Sequence, residues 1–421
     1  MRGVRIAGMV IAAWLAALVA APTAGAADDR RQTLRQLDLQ YELAGDVPMR
    51  NVPWVFTHNS YNSPAEMGLA LSPQDSNQRI TVVDQLDEGV RSLELDVHLF
   101  LGRPVLCHST GPHLGCTTEK TFRQVLTQIR AWMNRNPRQV LLLYLEGHLD
   151  DAAGYDLGSA DLDAVVGDLV YRPPSRGARC DPLPLELTRN QVRAAGKRLV
   201  LMGDCGDGAR WPAYVHDDRQ RLTASTNAPF RDFPDCGPDY TRAEYESRQV
   251  RYYEDATGVG AATGSGHGRI APPLVGRMTR CGVDLIGFDL LERGDARVAA
   301  QVWSWGPGEP ARGHDCAIQG AGGRWFARPC GERHRVACRD STGLWRIARK
   351  ATARGAARAC GRPGLLQAVP RTGYEGQRLL SAQKRAGSGA VWLGIRRRGD
   401  GWKAYERKGC RRRALARRCP G

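Results

Sequence analysis

The segments VFTHNS (residues 55–60), SLELDVH (92–98), PVLCHS (104–109) and VLLLYLEGH (140–148) decide the fold. Each combines a run of Val, Leu or Phe with polar residues that can bind a metal or transfer a proton. Apolar runs of this length are typical of strands buried in a sheet. We therefore interpret each segment as a strand whose carboxyl end carries a functional group.

Helical patterns separate and follow these predicted strands. Residues 118–134 place their apolar side chains on one helical face, and Thr118 and Thr121 are suitable capping residues. Strands that alternate with helices over about 250 residues predict an α/β fold with a parallel sheet, closed into a (β/α)8 barrel of the TIM type. The polar, glycine-rich stretch 204–270 gives no assignment. Further helices are predicted over 31–41, 81–88, 161–170, 188–195 and 296–303, and further strands over 198–203 and 283–291.

The 421-residue chain is long enough for a large core and a second, smaller unit. Its first 26 residues are typical of a signal peptide, since Arg2 and Arg5 precede an apolar run and small residues end at Ala26. An uncleaved membrane anchor is the alternative. We predict a signal peptide (1–26), a barrel domain (27–306) and a disulfide-rich, β-containing C-terminal module (307–421). The protein is expected to be secreted, with cleavage near Ala26, and its sequence predicts no oligomeric state.

Twelve cysteines follow the predicted signal peptide. An even number in an exported chain indicates six disulfides. Cys107 and Cys116 are close enough in sequence to close the loop that follows His108. A zinc site is the alternative, but the sequence contains no Cys-x-x-Cys pair.

Positive charge is concentrated near the C-terminus. The net charge is +16, and residues 401–421 hold eight Lys or Arg against the single acid Glu406. Such a tail could contact an anionic lipid or a wall polymer, or it could be a solvated basic face. Nucleic acid is not expected as a partner of an exported protein.

The pleat of the predicted strands brings carboxylates together. In SLELDVH, the period of two places Glu94, Asp96 and His98 on one face, and Glu146 shares a face with Tyr144 in the fourth segment. Carboxylates this close repel one another unless a cation lies between them. With Asn59 they form an all-oxygen set that suits Ca²⁺ better than Mg²⁺. The alternative is that these are separate, solvated carboxylates.

Two histidines supply groups that can transfer protons near neutral pH. His58 and His108 each lie at a predicted strand end beside the carboxylates. A cation that polarises a phosphoryl oxygen, combined with one proton acceptor and one proton donor, indicates a phosphodiesterase.

In their order along the chain, THNSYN (57–62), LELD (93–96), LCHS (106–109) and YLEGH (144–148) resemble the motifs of the X domain of phosphatidylinositol-specific phospholipase C. The resemblance covers residues 50–150 and extends loosely to about residue 305. It implies a distorted (β/α)8 barrel and a phospholipid substrate at a membrane surface. It further implies cleavage of phosphatidylinositol with the inositol 2-hydroxyl as internal nucleophile.

The resemblance also implies a role for each site residue. His108 would be the general acid for the leaving oxygen, and His58 would stabilise the charged phosphate or share in base catalysis. Glu94 is the candidate base as well as a metal ligand, and Asp289 could orient His58. The set that matches the ligands of the calcium-dependent branch of the family is Asn59, Glu94, Asp96 and Glu146.

The C-terminal module resembles C-type lectin-like domains only faintly, through its Cys, Gly and Trp pattern. Exposed Trp and Arg side chains there could bind carbohydrate or an anionic surface. Two other functions fit the chain. One is a glycerophosphodiester or sphingomyelin-type phosphodiesterase on a similar barrel, and the other is a catalytically silent protein that binds lipid or cell wall.

Overall fold

The computed structural model describes most of the chain beyond the predicted signal peptide. The described ranges are 24–67, 76–109, 113, 116–118, 120–175, 180–218, 222–225, 230–237, 251–255, 268–399 and 401–404. Residues 1–23 of the predicted signal peptide, most of the basic tail, and Cys410 and Cys419 lie outside them. Within these ranges, no helix is both long enough and apolar enough to cross a bilayer.

Eight parallel strands form the first sheet, with one antiparallel strand at its side. Neighbours follow the order β6-β5-β4-β2-β1-β9-β8-β7, so the parallel strands pair in their order along the chain except between β6 and β7, and β9 returns to β1. This is the strand order of a TIM-type barrel, and it confirms the predicted α/β class. In the described part of the chain, β6 and β7 form the two ends of the sheet. The strands are β1 (Trp54–Thr57), β2 (Ser92–Phe100), β3 (Arg103–Leu106), β4 (Leu141–His148), β5 (Leu199–Gly203), β6 (Val215–Asp217), β7 (Leu222–Ser225), β8 (Arg251–Glu254) and β9 (Leu285–Phe288).

The third predicted strand differs from the others, because β3 pairs antiparallel with β2 rather than joining the parallel barrel. Leu101 and Gly102, with φ of 48° and 71°, form the turn between them. Two consecutive residues with positive φ are typical of the tight turn of a hairpin. The hairpin directs the segment after Leu106 back along β2.

In the ranges given above, eight helices accompany this sheet. In α4, Thr121 and Gln124 form a capping box, and the apolar face predicted from the sequence is buried. Helix α5 begins at residue 152 rather than at the predicted 161, because Asp151 caps it through the backbone N–H of Gly154 at 2.9 Å. The helices are α1 (Ala24–Leu43), α2 (Pro64–Met67), α3 (Val82–Asp87), α4 (Phe122–Arg135), α5 (Ala152–Val166), α6 (Arg189–Ala194), α7 (Pro272–Cys281) and α8 (Ala296–Ala300).

Alternate residues of β2 and β4 face two different apolar clusters. Leu141, Leu143 and Leu145 pack with helix residues in the larger cluster. Leu142 and Tyr144 pack in a second cluster formed mainly by residues of the sheet, including Trp54 and Phe56. The face that carries Glu94, Asp96 and Glu146 is therefore the face turned away from the helices.

A second, mixed sheet follows the barrel. Its main order is β11-β10-β15-β12-β13, with β14 on β12 and β16 on β15. Trp305, Trp325 and Trp402 are buried in its own apolar cluster. The domain boundary between residues 306 and 307 and the faint C-type lectin likeness stay predictions. The elements are β10 (Cys316–Gly320), β11 (Trp325–Arg328), β12 (His334–Arg339), β13 (Trp345–Ala351), α9 (Ala356–Ala359), β14 (Leu366–Gln367), α10 (Gly373–Arg385), β15 (Ala390–Arg398) and β16 (Gly401–Ala404).

Disulfides cross-link segments around both sheets. The predicted Cys107–Cys116 bridge is present, and it closes the loop that carries His108. Since Cys410 and Cys419 lie outside the described residues, the sixth predicted bridge stays a prediction. The remaining bridges are Cys180–Cys205, Cys236–Cys281, Cys316–Cys330 and Cys338–Cys360.

Helix α10 packs directly on α7 of the barrel through Gly373. A Cβ at Gly373 would lie 2.5 Å from the backbone oxygen of Thr279, whereas a Cβ at Gly376 would meet nothing closer than 3.8 Å. We expect Gly373→Ala to lower the free energy of unfolding by about 1–3 kcal/mol, because backbone must move. The matched control Gly376→Ala should be neutral or stabilising by up to about 1 kcal/mol. Urea unfolding measures both, and equal effects would contradict the predicted contact.

Candidate active site

Three carboxylates converge at the carboxyl ends of β2 and β4. Asp96 lies opposite Glu146 in the parallel register, and Glu94 lies two residues before Asp96 on the same face. One oxygen atom from each of the three lies within 4.8 Å of the others. Glu94 and Asp96 are only 2% and 5% exposed. The predicted carboxylates therefore form one cluster rather than separate solvated groups.

Asn59 completes the predicted ligand set from the turn after β1. It has φ of 43°, and its backbone N–H donates to Glu94 Oε2 at 3.0 Å. Its side-chain amide ends 2.7 Å from Asp96 Oδ2 and 3.2 Å from His58 Nε2. Ser60 supports the turn, since its hydroxyl accepts from the backbone N–H of Glu94 at 3.0 Å. The four predicted ligands thus face one point.

Burial makes the charges of this cluster unfavourable. It raises the pKa of Glu94 well above its ordinary value. Burial, followed by the nearby charge of Glu146, raises the pKa of Asp96 to about 7. A bound cation would relieve both effects, and a set of carboxylate and amide oxygens is the kind of donor set that hard cations prefer. The residues present therefore fit a divalent cation such as Ca²⁺.

His58 is held beside the carboxylates by a buried partner. Its Nδ1 lies 2.9 Å from Oδ1 of Asp289, which is fully buried at the end of β9. Because an ionised carboxylate can only accept, Nδ1 carries the proton and Nε2 faces the cluster. Nε2 lies 4.0 Å from Glu94 Oε2 and 3.9 Å from Glu254 Oε2. Burial lowers the pKa of His58, but Asp289, Glu94 and Glu254 outweigh it and hold that pKa well above 6.5.

A buried ionic network fixes Asp289 in turn. Its backbone N–H donates to Asp255 Oδ2 at 2.8 Å, and its carbonyl oxygen accepts from Arg297 Nη2 at 2.8 Å. Arg297 is 2% exposed and pairs with both Asp255 and Asp295 at 2.6 Å. The network positions Asp289, and through it the ring of His58.

His108 lies on the segment that the hairpin returns along β2. The last residue pair of the hairpin is Val97 with Leu106, so residue 108 continues toward the level of Leu95 and Asp96. His108 is partly buried. Its charge is among the groups that lower the pKa of His98 to about 4, after burial, His148 and His113. His108 thus approaches the same end of the barrel.

Glu254 and several contacts among histidines at this end were not predicted from the sequence. Glu254 ends β8, a short polar strand inside the unassigned stretch 204–270, so no apolar run marked it. His98 stacks on His148 at 4.4 Å between ring centroids, and its Nδ1 lies 3.2 Å from Nδ1 of His113. The parallel register places His98 opposite His148, and both residues stand in the quoted segments, so this contact could have been found.

The family of the chain follows from comparison with known proteins. A family model described as the Rv2075c PI-PLC-like domain matches residues 15–295, well over half of the 421 residues. The protein "Uncharacterized protein Rv2075c" of Mycobacterium tuberculosis is 41% identical over 387 residues, which are 85% of this chain and 78% of the relative. The chain belongs to the Rv2075c PI-PLC-like domain family. The cluster and His58 are therefore parts of a PI-PLC-like domain.

Other similarities are more distant. An "Uncharacterized secreted protein" of the fungus Arthroderma benhamiae is 27% identical over 186 residues, 44% of this chain and 39% of the relative. The solved phosphatidylinositol-specific phospholipase C of Listeria monocytogenes has a TM-score of 0.43 and 14% identity, and covers 63% of this chain and 98% of its own. A calcium-dependent phosphoinositol-specific phospholipase C from a Pseudomonas species has a TM-score of 0.34 and 15% identity, and covers 61% and 93%.

Proposed function

We propose that this member of the Rv2075c PI-PLC-like family is a secreted, Ca²⁺-dependent phosphodiesterase that cleaves phosphatidylinositol at a membrane surface. The observation that carries the proposal is the position of His58 Nε2, about 4 Å from the buried carboxylate Glu94 and fixed from behind by Asp289. A histidine held in one tautomer beside a cation-binding cluster can transfer a proton to or from a phosphodiester.

The proposed Ca²⁺ ligands are Asn59, Glu94, Asp96 and Glu146. When bound, the cation supplies positive charge that polarises a phosphoryl oxygen and lowers the pKa of the attacking hydroxyl.

The protein's own groups account for the two proton transfers. A cation bound at the cluster would lower the raised pKa of His58, so that His58 Nε2, assisted by Glu94, would accept the proton of the inositol 2-hydroxyl as its oxygen bonds to phosphorus. His108 donates a proton to the diacylglycerol oxygen as the bond from that oxygen to phosphorus breaks. The products are diacylglycerol and a cyclic inositol phosphate. Asp289 keeps Nε2 directed at the reacting atoms throughout.

Secretion is supported by the disulfides and by the leader. Five bridges join described cysteines, and stable disulfides are typical of oxidising compartments. The fungal relative is described as secreted. Residues 1–26 have the pattern of a signal peptide.

Hydrolysis of phosphatidylinositol vesicles by the mature chain tests the proposal. We expect turnover in Ca²⁺ and a loss of at least about a hundredfold in chelator, with a cyclic phosphate seen by phosphorus NMR. Release of choline phosphate from sphingomyelin, or of glycerol phosphate from glycerophosphodiesters, with phosphatidylinositol untouched would instead favour the alternative phosphodiesterases. Binding to vesicles without turnover of any phosphodiester would favour the catalytically silent protein.

Calcium should stabilise the protein, and more so at higher pH. Burial raises the pKa of Asp96 to about 7, above its unfolded value, so protons stabilise the apo fold at low pH and this contribution is lost as pH rises from about 4 to 7. Calcium needs the deprotonated carboxylates. At a hundred times its Kd, it should add about 2.7 kcal/mol. Thermal unfolding should therefore show a larger calcium shift at pH 8 than at pH 5.5.

Two matched variants distinguish calcium binding at the carboxylate cluster from a general effect of salt on stability. Asp96→Asn should lose the calcium shift, whereas Asp340→Asn, at an exposed turn of the second sheet, should keep it. An equal shift in both variants, or a shift that grows toward low pH, would contradict calcium binding at this cluster.

A further inference from the structure

A basic cleft lies where the second sheet's helix α10 packs on helix α7 of the barrel. It has a volume of about 680 Å³, within the usual range of ligand sites. Its walls come from α7, α10, residues 344 and 345 at the start of β13, and the segment 230–237, which the Cys236–Cys281 disulfide ties to the end of α7. The close approach at Gly373 joins the two helices. The disulfide and the close contact between the two helices therefore fix the walls of the cleft.

Cations in the cleft outnumber acids. Arg277 pairs with Asp232 at 3.5 Å, and Asp232 is the single acidic residue among the lining residues. Within the described part of the chain, Arg280, Lys384 and Arg385 form no ion pair. Burial lowers the pKa of Arg280, Asp232 opposes this, and Arg277 adds to it. The charge of the cleft is thus left for a ligand to neutralise.

Aromatic rings stand beside these cations. Phe233 and Tyr374 line the cleft with their ring centroids 5.5 Å apart. Apolar ring faces beside positive charges suit a ligand that carries both anionic groups and a carbon-rich backbone. A phosphate-bearing polymer of sugar or polyol units has this composition.

The cleft continues into a second cavity. That cavity has a volume of about 1520 Å³ and shares Tyr374 and Arg378 with the first. Arginines again outnumber acids in its lining, where Asp46, Asp340 and Glu375 are the acidic residues. Two adjoining cavities of this combined size, together called the track, suit a chain better than a single headgroup, and a cavity suits a flexible polymer better than a flat bilayer. The further arginines of the second cavity are Arg339, Arg354, Arg362, Arg371 and Arg396.

The track lies at the opposite end of the barrel from the candidate active site. Gly282 lines the second cavity and comes just before β9, whereas Asp289 follows that strand. Asn51 also lines it and comes just before β1, whereas His58 follows β1. The amino and carboxyl ends of parallel strands lie on opposite faces of a barrel. Ligand bound in the track would therefore leave the reaction centre accessible.

We propose that this track binds an anionic, phosphate-bearing sugar or polyol polymer, as an anchoring site separate from the catalytic centre. The site would hold the exported protein on a wall-type polymer. This inference does not depend on the proposed phosphodiesterase activity.

Calorimetric titration of the mature chain with poly(glycerol phosphate), in chelator and 50 mM salt, tests the site. We expect Lys384→Gln/Arg385→Gln to weaken binding by at least about tenfold. The control Arg349→Gln/Lys350→Gln removes the same charge from exposed positions of β13 outside both cavities, and it should change binding less than about threefold. Neutral dextran should not bind. Hydrolysis of a soluble phosphodiester should be the same in both variants.

Three results would overturn the proposal. Equal weakening by both pairs would mean that only net charge matters. No binding of the polymer would remove the ligand class. Tighter binding to vesicles with 30% phosphatidylglycerol than to the polymer, lost in Lys384→Gln/Arg385→Gln, would assign the track to a membrane instead.

Discussion

Replacing His58 with alanine is expected to lower kcat for phosphatidylinositol cleavage by about 10²–10⁴-fold. The substitution removes the imidazole whose Nε2 lies about 4 Å from Glu94, and Asp289 is left with no proton donor at that position. Since His58 is not among the proposed metal ligands, the calcium-induced shift in thermal unfolding should persist. Initial rates on vesicles and thermal unfolding, both in calcium, measure the two effects.

His334→Ala is the matched control. His334 also pairs with a carboxylate, Glu332 at 2.7 Å, but it lies on β12 of the second sheet. We expect kcat within about twofold of the wild type, because this histidine is far in the fold from the proposed reacting groups. A His58→Ala variant that keeps more than a third of wild-type kcat would show that His58 is not a proton-transfer group.

The replacement Arg297→Met should destabilise the fold by about 3–5 kcal/mol, because it removes the arginine that pairs with the buried carboxylate of Asp255. Arg297 binds Asp255 and Asp295 at 2.6 Å each and is 2% exposed. Burial, opposed by Arg297, already raises the pKa of Asp255 to about 7. Without the arginine this pKa rises further, so the loss should be larger at pH 8, where Asp255 must be charged, than at pH 5.5.

Urea unfolding of Arg297→Met and Arg293→Met at both pH values measures this difference. Arg293 also pairs with an acid, Asp84 at 2.6 Å, but its side chain is 60% exposed. Its replacement should cost less than about 1 kcal/mol, with little dependence on pH. If Arg297→Met were no more damaging than Arg293→Met, the network behind Asp289 would not be a support for the site.

The alternation of side chains along the strands made much of the fold and of the candidate site predictable from the sequence. Alternation along β2 and β4 was enough to place Glu94, Asp96 and Glu146 on one face, and the parallel register brings them together. The helical spacing of residues 118–134 likewise predicted the buried face of α4. Signals that repeat over one element can be read without knowledge of the rest of the chain.

Features that depend on distant residues could not be predicted in this way. Glu254 reaches His58 from a strand too short and polar to leave a periodic pattern. The pairing of Arg297 with Asp255 joins residues 42 apart. The turn of the hairpin between β2 and β3 contains Leu101, which adopts a positive φ that its residue type does not favour. Tertiary contacts decide each of these outcomes.

Cleavage of phosphatidylinositol in ¹⁸O-labelled water, with calcium present, tests the central claim most directly. Attack by the inositol 2-hydroxyl within the barrel mouth predicts an early cyclic phosphate that contains no ¹⁸O, and no product when Asp96→Asn replaces the wild type. An early monophosphate that carries ¹⁸O, formed without a cyclic precursor, would contradict internal attack. Turnover that persists in chelator and in Asp96→Asn would contradict a role for the cation cluster.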